Sequence, residues 1–337
     1  MNARHLWVTG RYEVELAPFE LDDALAPGQV LVETERTLVS AGTELAIVMG
    51  THIGFTTGAG WPRYPMALGY TAVGRVGAVG DAVSRFRVGD RVLAETPHAT
   101  HAVAQADALL PVPEGCPPDA ALLAHLASIP LAGLRLARPQ IGEGVVVFGQ
   151  GLIGALAARL ARLSGCRPVL GVDLLPERRR IAAAAGVVPV DPGEADPLAV
   201  HRDLASGRAP EVVIEATGAP EVIADALRTA AEMGRVVLLG SPRGRVEIDP
   251  YTDVHGKGVS IIGAHHRLTP KVATPLTPFT AARNRAAVLA LVADGSLPTE
   301  GLVSHHIRPE EAAGTYRALA DRSPAFMGVI IDWSRDR

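Results

Sequence analysis

The sequence predicts an α/β protein in which a small β-barrel precedes a doubly wound parallel sheet, and two observations carry this prediction. Before about Pro118, strand-like runs such as GQVLVETERTLVS alternate apolar and polar positions between glycine-rich turns. After Pro118, continuous apolar runs alternate with helical periods: GVVVFG with LIGALAARLARLSG, PVLGVD with PERRRIAAAAG, and EVVIEATG with PEVIADALRTAAEMG. Apolar strands joined by helices are typical of a parallel sheet covered on both faces.

Glycines punctuate the Val-rich runs of the first part. Gly74, Gly77, Gly80 and Gly89 fall at short intervals within AVGRVGAVGDAVSRFRVGDRVLAE. Glycine permits bends and close backbone approaches that a side chain would block, so this spacing predicts a small, tightly turned barrel. No helical period of useful length precedes the stretch DAALLAHLASIPLAGLRLA, in which Pro130 is expected to kink or break the helix.

Length and composition limit the class of protein. A chain of 337 residues with 48% hydrophobic residues suits two domains with buried cores. The formal net charge of -4 lacks the basic surplus that drives binding to a phosphate backbone, so we expect no nucleic-acid partner. Cys116 and Cys166 are expected to be free buried thiols. Neither a signal-peptide core nor a membrane span is recognisable, so we expect a soluble, cytoplasmic protein without a membrane partner.

The segment VVVFGQGLIG, residues 145–154, predicts a nucleotide-binding turn. It is a strand that runs into the pattern G-x-G-x-x-G at Gly149, Gly151 and Gly154, with a helix after it. The first glycine makes the tight turn, the second lets the backbone approach a pyrophosphate, and the third lets helix and strand pack closely. Free N–H groups at the helix N-terminus then favour the phosphates. Asp173 ends the next strand, about 20 residues on, as this fingerprint requires.

Asp173 indicates which dinucleotide is bound. Its carboxylate is expected to accept hydrogen bonds from the adenosine ribose and to repel the extra phosphate of NADP, so the sequence favours NAD over NADP. Three arginines at 178–180 carry charge compatible with a 2′-phosphate, but we expect them along the solvated face of the next helix. EATG and LLGSPRG end two later strands at the edge where ligands collect. The predicted cofactor-binding residues are Gly149, Gln150, Gly151, Leu152, Ile153, Gly154, Asp173, Arg178, Ala216, Thr217, Gly240 and Ser241.

The runs GYTAVGRVGAVGDAVSRFRVGDRV, VVVFGQGLIG and VVIEATG resemble motifs of the medium-chain dehydrogenase/reductase superfamily, and the resemblance covers nearly the whole chain. It implies an N-terminal GroES-like barrel that carries the substrate site, then a Rossmann domain, then a return to the barrel. On this basis the GroES-like catalytic domain is placed at residues 1–135 and 267–337, and the NAD-binding Rossmann domain at 136–266.

The zinc-ligand positions of that superfamily hold other residues here. Zinc-dependent members carry Cys-Gly-Ser/Thr-Asp where this chain reads AGTE, so Ala41 replaces the first ligand. Their Gly-His-Glu motif reads GYT, with Tyr70 at the histidine, and the third ligand falls near Ala124 or His125. A catalytic zinc needs three protein ligands, so the resemblance is to a zinc-free branch and we expect no bound metal.

Without zinc, alcohol oxidation still needs a group that takes the hydroxyl proton and steadies charge on the oxygen. By the resemblance, Thr43 occupies the position of a proton-relay hydroxyl, and Tyr70 places a phenol near the reacting oxygen. Glu44 offers a base or an orienting carboxylate. Structural roles are equally open: Tyr70 filling the space of metal and histidine, and Thr43 capping the following helix with Glu44 in its first turn.

Histidines are further candidates because they exchange protons near neutral pH. His52 lies in GTHIGF, a stretch compatible with a substrate loop. His265 follows the last Rossmann strand, close to where the resemblance implies the nicotinamide. His98 lies in TPHATHAV, near the expected start of a structural zinc lobe that the sequence lacks. For any single histidine a structural role is favoured over catalysis.

These observations predict a zinc-independent oxidoreductase that transfers a hydride between NAD(H) and a polar secondary alcohol or ketone of polyol, sugar or cyclitol type. Two alternatives stay open: a bacteriochlorophyllide-type dehydrogenase acting on a tetrapyrrole side chain, and a non-catalytic nucleotide-binding relative comparable to the lens crystallins of the superfamily. The resemblance also implies a homodimer or homotetramer, in which the apolar last Rossmann strand, near 259–264, pairs with a second copy.

Overall fold

The strands and helices follow the predicted order. A computed structural model describes residues 1–58, 60–321 and 326–334. Its strands are β1 (Asn2–Gly10), β2 (Glu13–Glu20), β3 (Gln29–Leu38), β4 (Met66–Ala67), β5 (Ala72–Val79), β6 (Arg91–Ala94), β7 (His101–Gln105), β8 (Leu110–Pro111), β9 (Val145–Phe148), β10 (Val169–Val172), β11 (Val188–Val190), β12 (Val212–Glu215), β13 (Arg235–Leu238), β14 (Ser260–Gly263), β15 (Val303–Ile307) and β16 (Gly328–Asp332). Its helices are α1 (Ala41–Val48), α2 (Gly54–Thr57), α3 (Pro118–Ala137), α4 (Leu152–Leu163), α5 (Pro176–Ala184), α6 (Pro197–Leu204), α7 (Pro220–Thr229), α8 (Ala281–Ala293) and α9 (Ala312–Ala320).

Contacts divide the chain into two compact units. Unit 1 comprises Met1–His125 and the chain from Val303 onward, and unit 2 comprises Leu126–Leu302. The sequence predicted the first domain boundary later in the chain, after residue 135. It placed the second boundary earlier, after residue 266. The segment that precedes Val303 stays with unit 2 because Arg159 of α4 donates hydrogen bonds to the carbonyls of Pro298 and Glu300, at 2.8 and 3.0 Å.

Unit 1 is a GroES-like β-structure, as predicted. One sheet has the order β15-β16-β3-β5-β6-β8, with β7 also paired to β3, and a second sheet has the order β2-β1-β4. Gly74 of β5 lies where β3 bulges, and a Cβ at this position would come within 2.3 Å of the Glu33 carbonyl oxygen. Glycine therefore permits the close strand approach that the punctuated sequence predicted.

Two helical features differ from the sequence expectation. The helices α1 and α2 precede Pro118, although the sequence shows no helical period there; in α1 the buried Ala46, Ile47 and Val48 are consecutive, so tertiary burial rather than amphipathic spacing supports it. The helix α3 runs through Pro130 without a break. It is long and apolar enough to span a membrane, but 72% of its most apolar window is buried, as in a core helix.

Unit 2 holds the predicted parallel sheet. Its strand order is β11-β10-β9-β12-β13-β14, and every neighbouring pair is parallel. The apolar core contains residues from the central strands and from α7, among them Val146, Val213, Leu227 and Val236. From β9 the chain adds β10 and then β11 on one side of the sheet. It then returns to the other side of β9 and adds β12, β13 and β14 in turn. Ligands of doubly wound sheets bind at the carboxyl ends of strands at this switch point.

Candidate functional site

The nucleotide-binding turn of unit 2 has the geometry that its glycines imply. Gly149 follows β9 with a φ of +86°, a value that favours glycine. A Cβ on Gly154 would lie 1.8 Å from the Gly149 carbonyl oxygen, so only glycine lets α4 begin this close to the turn. A Cβ on Gly151 would meet nothing nearer than the Arg178 guanidinium, at 3.7 Å, so the surface above Gly151 is open.

The N-terminus of α4 is available to an anion. Gly151 is its N-cap residue and provides no side-chain cap, and Leu152 and Ile153 are the first two helical residues. Their N–H groups carry the positive end of the helix dipole. The open surface above Gly151 and these donors together fit the pyrophosphate of a dinucleotide.

Asp173 follows β10 and is buried, with 8% of its surface exposed. Its carboxylate accepts the Gln150 N–H at 2.7 Å and the Leu175 N–H at 2.9 Å. The acid thus connects the glycine turn to the start of α5, and it lies where the fingerprint positions the adenosine ribose.

The arginines at the start of α5 do not share one solvated face, contrary to the sequence expectation. Arg178 turns towards the carboxylate of Asp173, 3.5 Å away. Arg179 forms an ion pair with Asp191 at 2.6 Å and donates to the Asp173 carbonyl at 2.8 Å. Arg180 alone pairs with Glu177 on an exposed surface, at 2.7 Å. The carboxylates of the buried Asp173 and the partly exposed Asp191 draw the first two side chains back over the end of β10.

The later cofactor candidates line the same carboxyl edge of the sheet. The carboxylate of Glu215 accepts the Thr217 N–H at 2.6 Å and the Gly218 N–H at 2.9 Å, which closes the turn after β12. Within the described chain, the other oxygen of this fully buried carboxylate has no hydrogen-bond partner. The residues that form this edge with it are Gly149, Ala216, Thr217, Gly218, Gly240 and Ser241.

In unit 1 a carboxylate organises the region that the AGTE motif identified. Glu44 lies in the first turn of α1 and is 1% exposed. One carboxylate oxygen accepts the Ser40 N–H at 2.7 Å. The other contacts Nε2 of His98 at 3.0 Å and accepts a short hydrogen bond from the Tyr316 hydroxyl. Both oxygens are therefore engaged inside the protein.

The partners of Glu44 come from distant parts of the chain. His98 is fully buried and precedes β7; its ring packs on Gly69, where a Cβ would lie 2.5 Å from the ring. Tyr316 belongs to α9 and is 1% exposed. Sequence reasoning noted His98 without this partner and missed Tyr316, since no local signal in GTYRALA distinguishes it from a core residue.

Tyr70 lies beside the first turn of the same helix. Its hydroxyl donates a short hydrogen bond to Oγ of Ser40, and Thr43 also bonds to this phenol. Ser40 is the N-cap residue of α1, but its hydroxyl makes no cap bond. Thr43 lies inside the helix, so the alternative that Thr43 is the cap is wrong, whereas Glu44 is in the first turn as expected.

The ionisation of these groups separates their roles. Burial alone would raise the pKa of Glu44, but His98, the Tyr316 hydroxyl and the Ser40 N–H together hold it below its ordinary value. Burial raises the pKa of Tyr70 to about 12, with Glu44 and Glu95 adding to the shift and the bonds to Ser40 and Thr43 opposing it. At neutral pH the carboxylate is therefore charged, and the Tyr70 phenol is a hydrogen-bond donor.

A second acid–histidine pair adjoins Tyr70. The rings of Tyr70 and His125 have centroids 5.4 Å apart. Nδ1 of the buried His125 lies 3.5 Å from a carboxylate oxygen of Glu95, whose side chain is 41% exposed. This pair extends the polar cluster from the buried Glu44 towards the surface of unit 1.

The two predicted catalytic histidines make local contacts. Nδ1 of His52 accepts the Gly54 N–H at 3.1 Å, and its ring meets the Trp61 ring edge-on at 4.9 Å. His265 belongs to unit 2, where Nδ1 accepts the Arg267 N–H at 3.2 Å. The structure thus assembles Thr43, Glu44 and Tyr70 but gives His52 and His265 turn-forming contacts, and their catalytic role stays a prediction.

The donor set of this cluster does not fit a zinc ion. Ala41 offers a methyl group, Tyr70 a phenol that stays protonated to high pH, and Glu44 a carboxylate that already has three donors. In the described ranges, no three His, Cys, Asp or Glu side chains converge as metal ligands. A tetrahedral zinc site needs at least three such protein ligands.

Comparison with known proteins agrees with this architecture. The profile of an alcohol dehydrogenase GroES-like domain matches residues 26–114, and that of a zinc-binding dehydrogenase matches residues 153–281. Sorbitol dehydrogenase 1 of Saccharomyces cerevisiae is 27% identical over 80% of this chain and 83% of its own length. The (R,R)-butanediol dehydrogenase of Bacillus subtilis is 26% identical over 55% of this chain; the match spans 62% of that relative, less than two thirds of its length.

The fold is shared with solved structures over almost the whole chain. A zinc-binding dehydrogenase from Sinorhizobium meliloti 1021, solved with NADP bound, superposes with a TM-score of 0.81 at 21% identity, covering 98% of this chain and 99% of that one. The chain has a GroES-like unit and a six-stranded Rossmann sheet, and both domain profiles match it in the order that the family has. It therefore belongs to the medium-chain dehydrogenase/reductase superfamily.

Proposed function

We propose that this protein is a metal-independent oxidoreductase that transfers a hydride between NAD and a polar secondary alcohol or its ketone, of polyol, sugar or cyclitol type. The observation that carries the proposal is the hydroxyl cluster of Ser40, Thr43 and Tyr70, in which Tyr70 stands where, by the resemblance, zinc enzymes of the superfamily have a ligand histidine. The names of the relatives, dehydrogenases of sorbitol and butanediol, support an alcohol substrate.

The cofactor would be held by the glycine turn of unit 2. The N-terminus of α4 would bind the pyrophosphate, and Asp173 would accept hydrogen bonds from the adenosine ribose. Bound nicotinamide supplies the hydride acceptor for alcohol oxidation and the hydride donor for ketone reduction. Asp173 supports NAD as the cofactor because its charge opposes a 2′-phosphate.

The unit 1 cluster would act on the substrate oxygen by hydrogen bonding. Tyr70 is protonated across the physiological range, and its single phenol proton, which is donated to Oγ of Ser40, would turn to a substrate oxygen on which negative charge develops. Thr43 is partly exposed, so its hydroxyl would pass the alcohol proton to solvent water in oxidation and return a proton in reduction. Glu44 is excluded as the direct base because it is 1% exposed and both of its oxygens are engaged. It holds the cluster in place.

A substrate screen with metal control tests this proposal. Purified protein treated with EDTA is incubated with NAD and a panel of polyols, sugars and cyclitols, and NADH formation is followed at 340 nm. Substrate-dependent NADH formation with less than stoichiometric zinc by elemental analysis is expected. Stoichiometric zinc, or activity lost in EDTA and restored by zinc, contradicts the metal-free proposal. NADH binding without turnover of any alcohol supports the non-catalytic alternative.

A further inference from the structure

Two fully buried side chains end on one oxygen of Glu44, and the proposed chemistry does not use either directly. Tyr316 reaches Oε2 of Glu44 from α9, and His98 reaches the same oxygen at 3.0 Å from the loop before β7. These residues lie 272 and 54 positions from Glu44 in the chain. A carboxylate buried to this extent is stable only with such donors, so the pair decides whether Glu44 stays charged.

The charged Glu44 in turn caps α1. Its Oε1 accepts the backbone N–H of Ser40, the N-cap residue, at 2.7 Å. The usual capping arrangement would use the serine hydroxyl as acceptor for an N–H of the first turn. Here that hydroxyl makes no cap bond and is instead the acceptor of the Tyr70 phenol. Glu44 thus fixes the backbone of Ser40, while the hydroxyl of Ser40 orients Tyr70.

We propose that Tyr316 and His98 are positioning residues for the reaction: by holding the Glu44 carboxylate they fix the Ser40–Thr43 turn, which sets the direction of the Tyr70 hydroxyl. The proposal rests on the proposed function, because it assigns these residues a role in the same site. The path runs from α9 through Tyr316, Glu44 and Ser40 to Tyr70, and each step is a hydrogen bond.

Loss of either donor has a defined electrostatic consequence. The groups that face Glu44 are His98, Tyr316 and the Ser40 N–H, and the charge of Glu44 also acts on the neutral Tyr70 phenol. Burial opposes the charged form, so removal of one donor raises the pKa of Glu44. Once protonated, the carboxyl group binds the Ser40 N–H more weakly and the turn that orients Tyr70 loosens.

The chain offers a matched control for the Tyr316 substitution. Tyr64 also donates a short hydrogen bond to α1, in this case to the carbonyl of Ile47, and it packs against the same hydrophobic core as Tyr316. It makes no described contact with Glu44. Tyr64→Phe therefore removes a phenol–helix hydrogen bond while leaving the path to Tyr70 intact.

Kinetics on the screened substrate form the first test. Tyr316→Phe is expected to lower kcat about tenfold or more, since small misplacements of an active group have effects of this size. The KM for the cofactor should stay unchanged, and the acidic limb of the kcat/KM profile should move to higher pH. For His98, the Gln variant, which keeps an N–H donor, should retain more activity than the Leu variant. Tyr64→Phe should leave kcat and the pH profile as in the wild type.

A second measurement needs no substrate. In protein labelled with ¹³Cζ-tyrosine, the Tyr70 resonance is assigned by its loss in Tyr70→Phe. It is expected to move in Tyr316→Phe and to stay in place in Tyr64→Phe. Circular dichroism and thermal melts verify that each variant is folded before either measurement.

The two measurements separate the possible failures. A folded Tyr316→Phe variant with wild-type kcat, pH profile and Tyr70 resonance overturns the positioning role and leaves the proposed function standing. A wild-type protein that turns over no alcohol, but whose Tyr70 resonance moves in Tyr316→Phe, overturns the proposed function and supports the coupling between the two tyrosines. Equal effects of Tyr64→Phe and Tyr316→Phe show a general loss of packing and also overturn the positioning role.

Discussion

The hydroxyl of Tyr316 donates to the carboxylate of Glu44 across 272 residues of sequence, so α9 of the C-terminal segment completes the polar cluster begun by the N-terminal part of unit 1. His98 contacts the same carboxylate oxygen. A buried carboxylate stabilised in this way contributes to the free energy of unfolding and also holds the neighbouring side chains in place. These two contributions respond differently to pH and to substitution.

The stability of the protein should depend on Glu44 in a defined pH window. The folded-state pKa of Glu44 is lowered from an ordinary value of 4.5, so its contribution is present above about pH 4.5 and is lost as the pH falls through the folded pKa. Glu44→Gln is expected to lower the free energy of unfolding by about 2 kcal/mol at pH 7. The difference from wild type should shrink in acid, as measured by urea denaturation between pH 3 and pH 7.

Glu310 supplies the control for this prediction. Its exposed carboxylate pairs with Arg4 at 3.0 Å on the surface of unit 1, where a salt bridge contributes little. Glu310→Gln should leave the unfolding free energy nearly unchanged at both pH values. A Glu44→Gln protein whose deficit is as large at pH 3 as at pH 7 would show that the carboxylate is not charged in the folded state.

Tyr70 should act as a hydrogen-bond donor rather than as a base. Because its pKa is about 12, Tyr70 contributes no ionisation to the pH–rate profile below about pH 11. Tyr70→Phe removes the donor and is expected to lower kcat about 100-fold, with the dissociation constant of NADH unchanged. Steady-state rates and fluorescence titration with NADH measure the two effects. Turnover near the wild-type level in Tyr70→Phe would remove the phenol from the mechanism.

The parallel sheet could be predicted because each of its strands and turns is marked by a pattern within a short segment of the sequence. Each strand of unit 2 is an apolar run of its own, and the fingerprint around Gly149 and Gly154 needs glycine for steric reasons that are visible within ten residues. The same holds for Gly74, where a strand approach excludes a side chain. The two domains and their order therefore follow from patterns that each segment carries alone.

The contacts of Glu44 could not be predicted in this way. Its partners His98 and Tyr316 are brought to it by the fold of unit 1, and neither residue is marked by its neighbours in sequence. The helix α1 was expected only as an alternative, beginning after Thr43, because its support is burial and the Glu44 contact with Ser40 rather than a helical period. The arginines at 178–180 were expected on one solvated face, although Arg178 was also a cofactor-binding candidate, because the position of a residue on a helix does not fix where a long side chain ends.

The open edge of the Rossmann sheet predicts self-association. In the described chain β14 is the last strand of its sheet and pairs with β13 alone, and Ile261 on this strand is 43% exposed. An exposed apolar edge strand favours pairing with a second copy. The wild type is expected to elute as a dimer or tetramer in light-scattering chromatography, and Ile261→Lys should shift it towards the monomer. Leu174→Lys, at a site that is 72% exposed and away from β14, is the control. A monomeric wild type contradicts the prediction.

The balance between NAD and NADP should depend on Asp173, with Arg178 already in place to receive a 2′-phosphate. The Arg178 guanidinium lies 3.5 Å from the carboxylate, and the N–H groups of Gln150 and Leu175 point at the same two oxygens. In Asp173→Ala these donors lose their acceptor, and a phosphate can replace it. Affinity for NADH should fall and affinity for NADPH rise, changing the ratio of dissociation constants about tenfold or more, equivalent to about 1.4 kcal/mol.

Two arginine variants decide whether the geometry of Arg178 causes this exchange. Adding Arg178→Ala to Asp173→Ala should abolish the gain in NADPH affinity, because the cation that faces the phosphate is then missing. Arg180→Ala in the same background should keep the gain, since Arg180 pairs with Glu177 on the exposed face of α5. Fluorescence titrations with NADH and NADPH measure all four proteins without a substrate. If the Arg178 and Arg180 variants behave alike, the gain reflects the loss of a negative charge alone, and the position of Arg178 over the end of β10 has no part in cofactor choice.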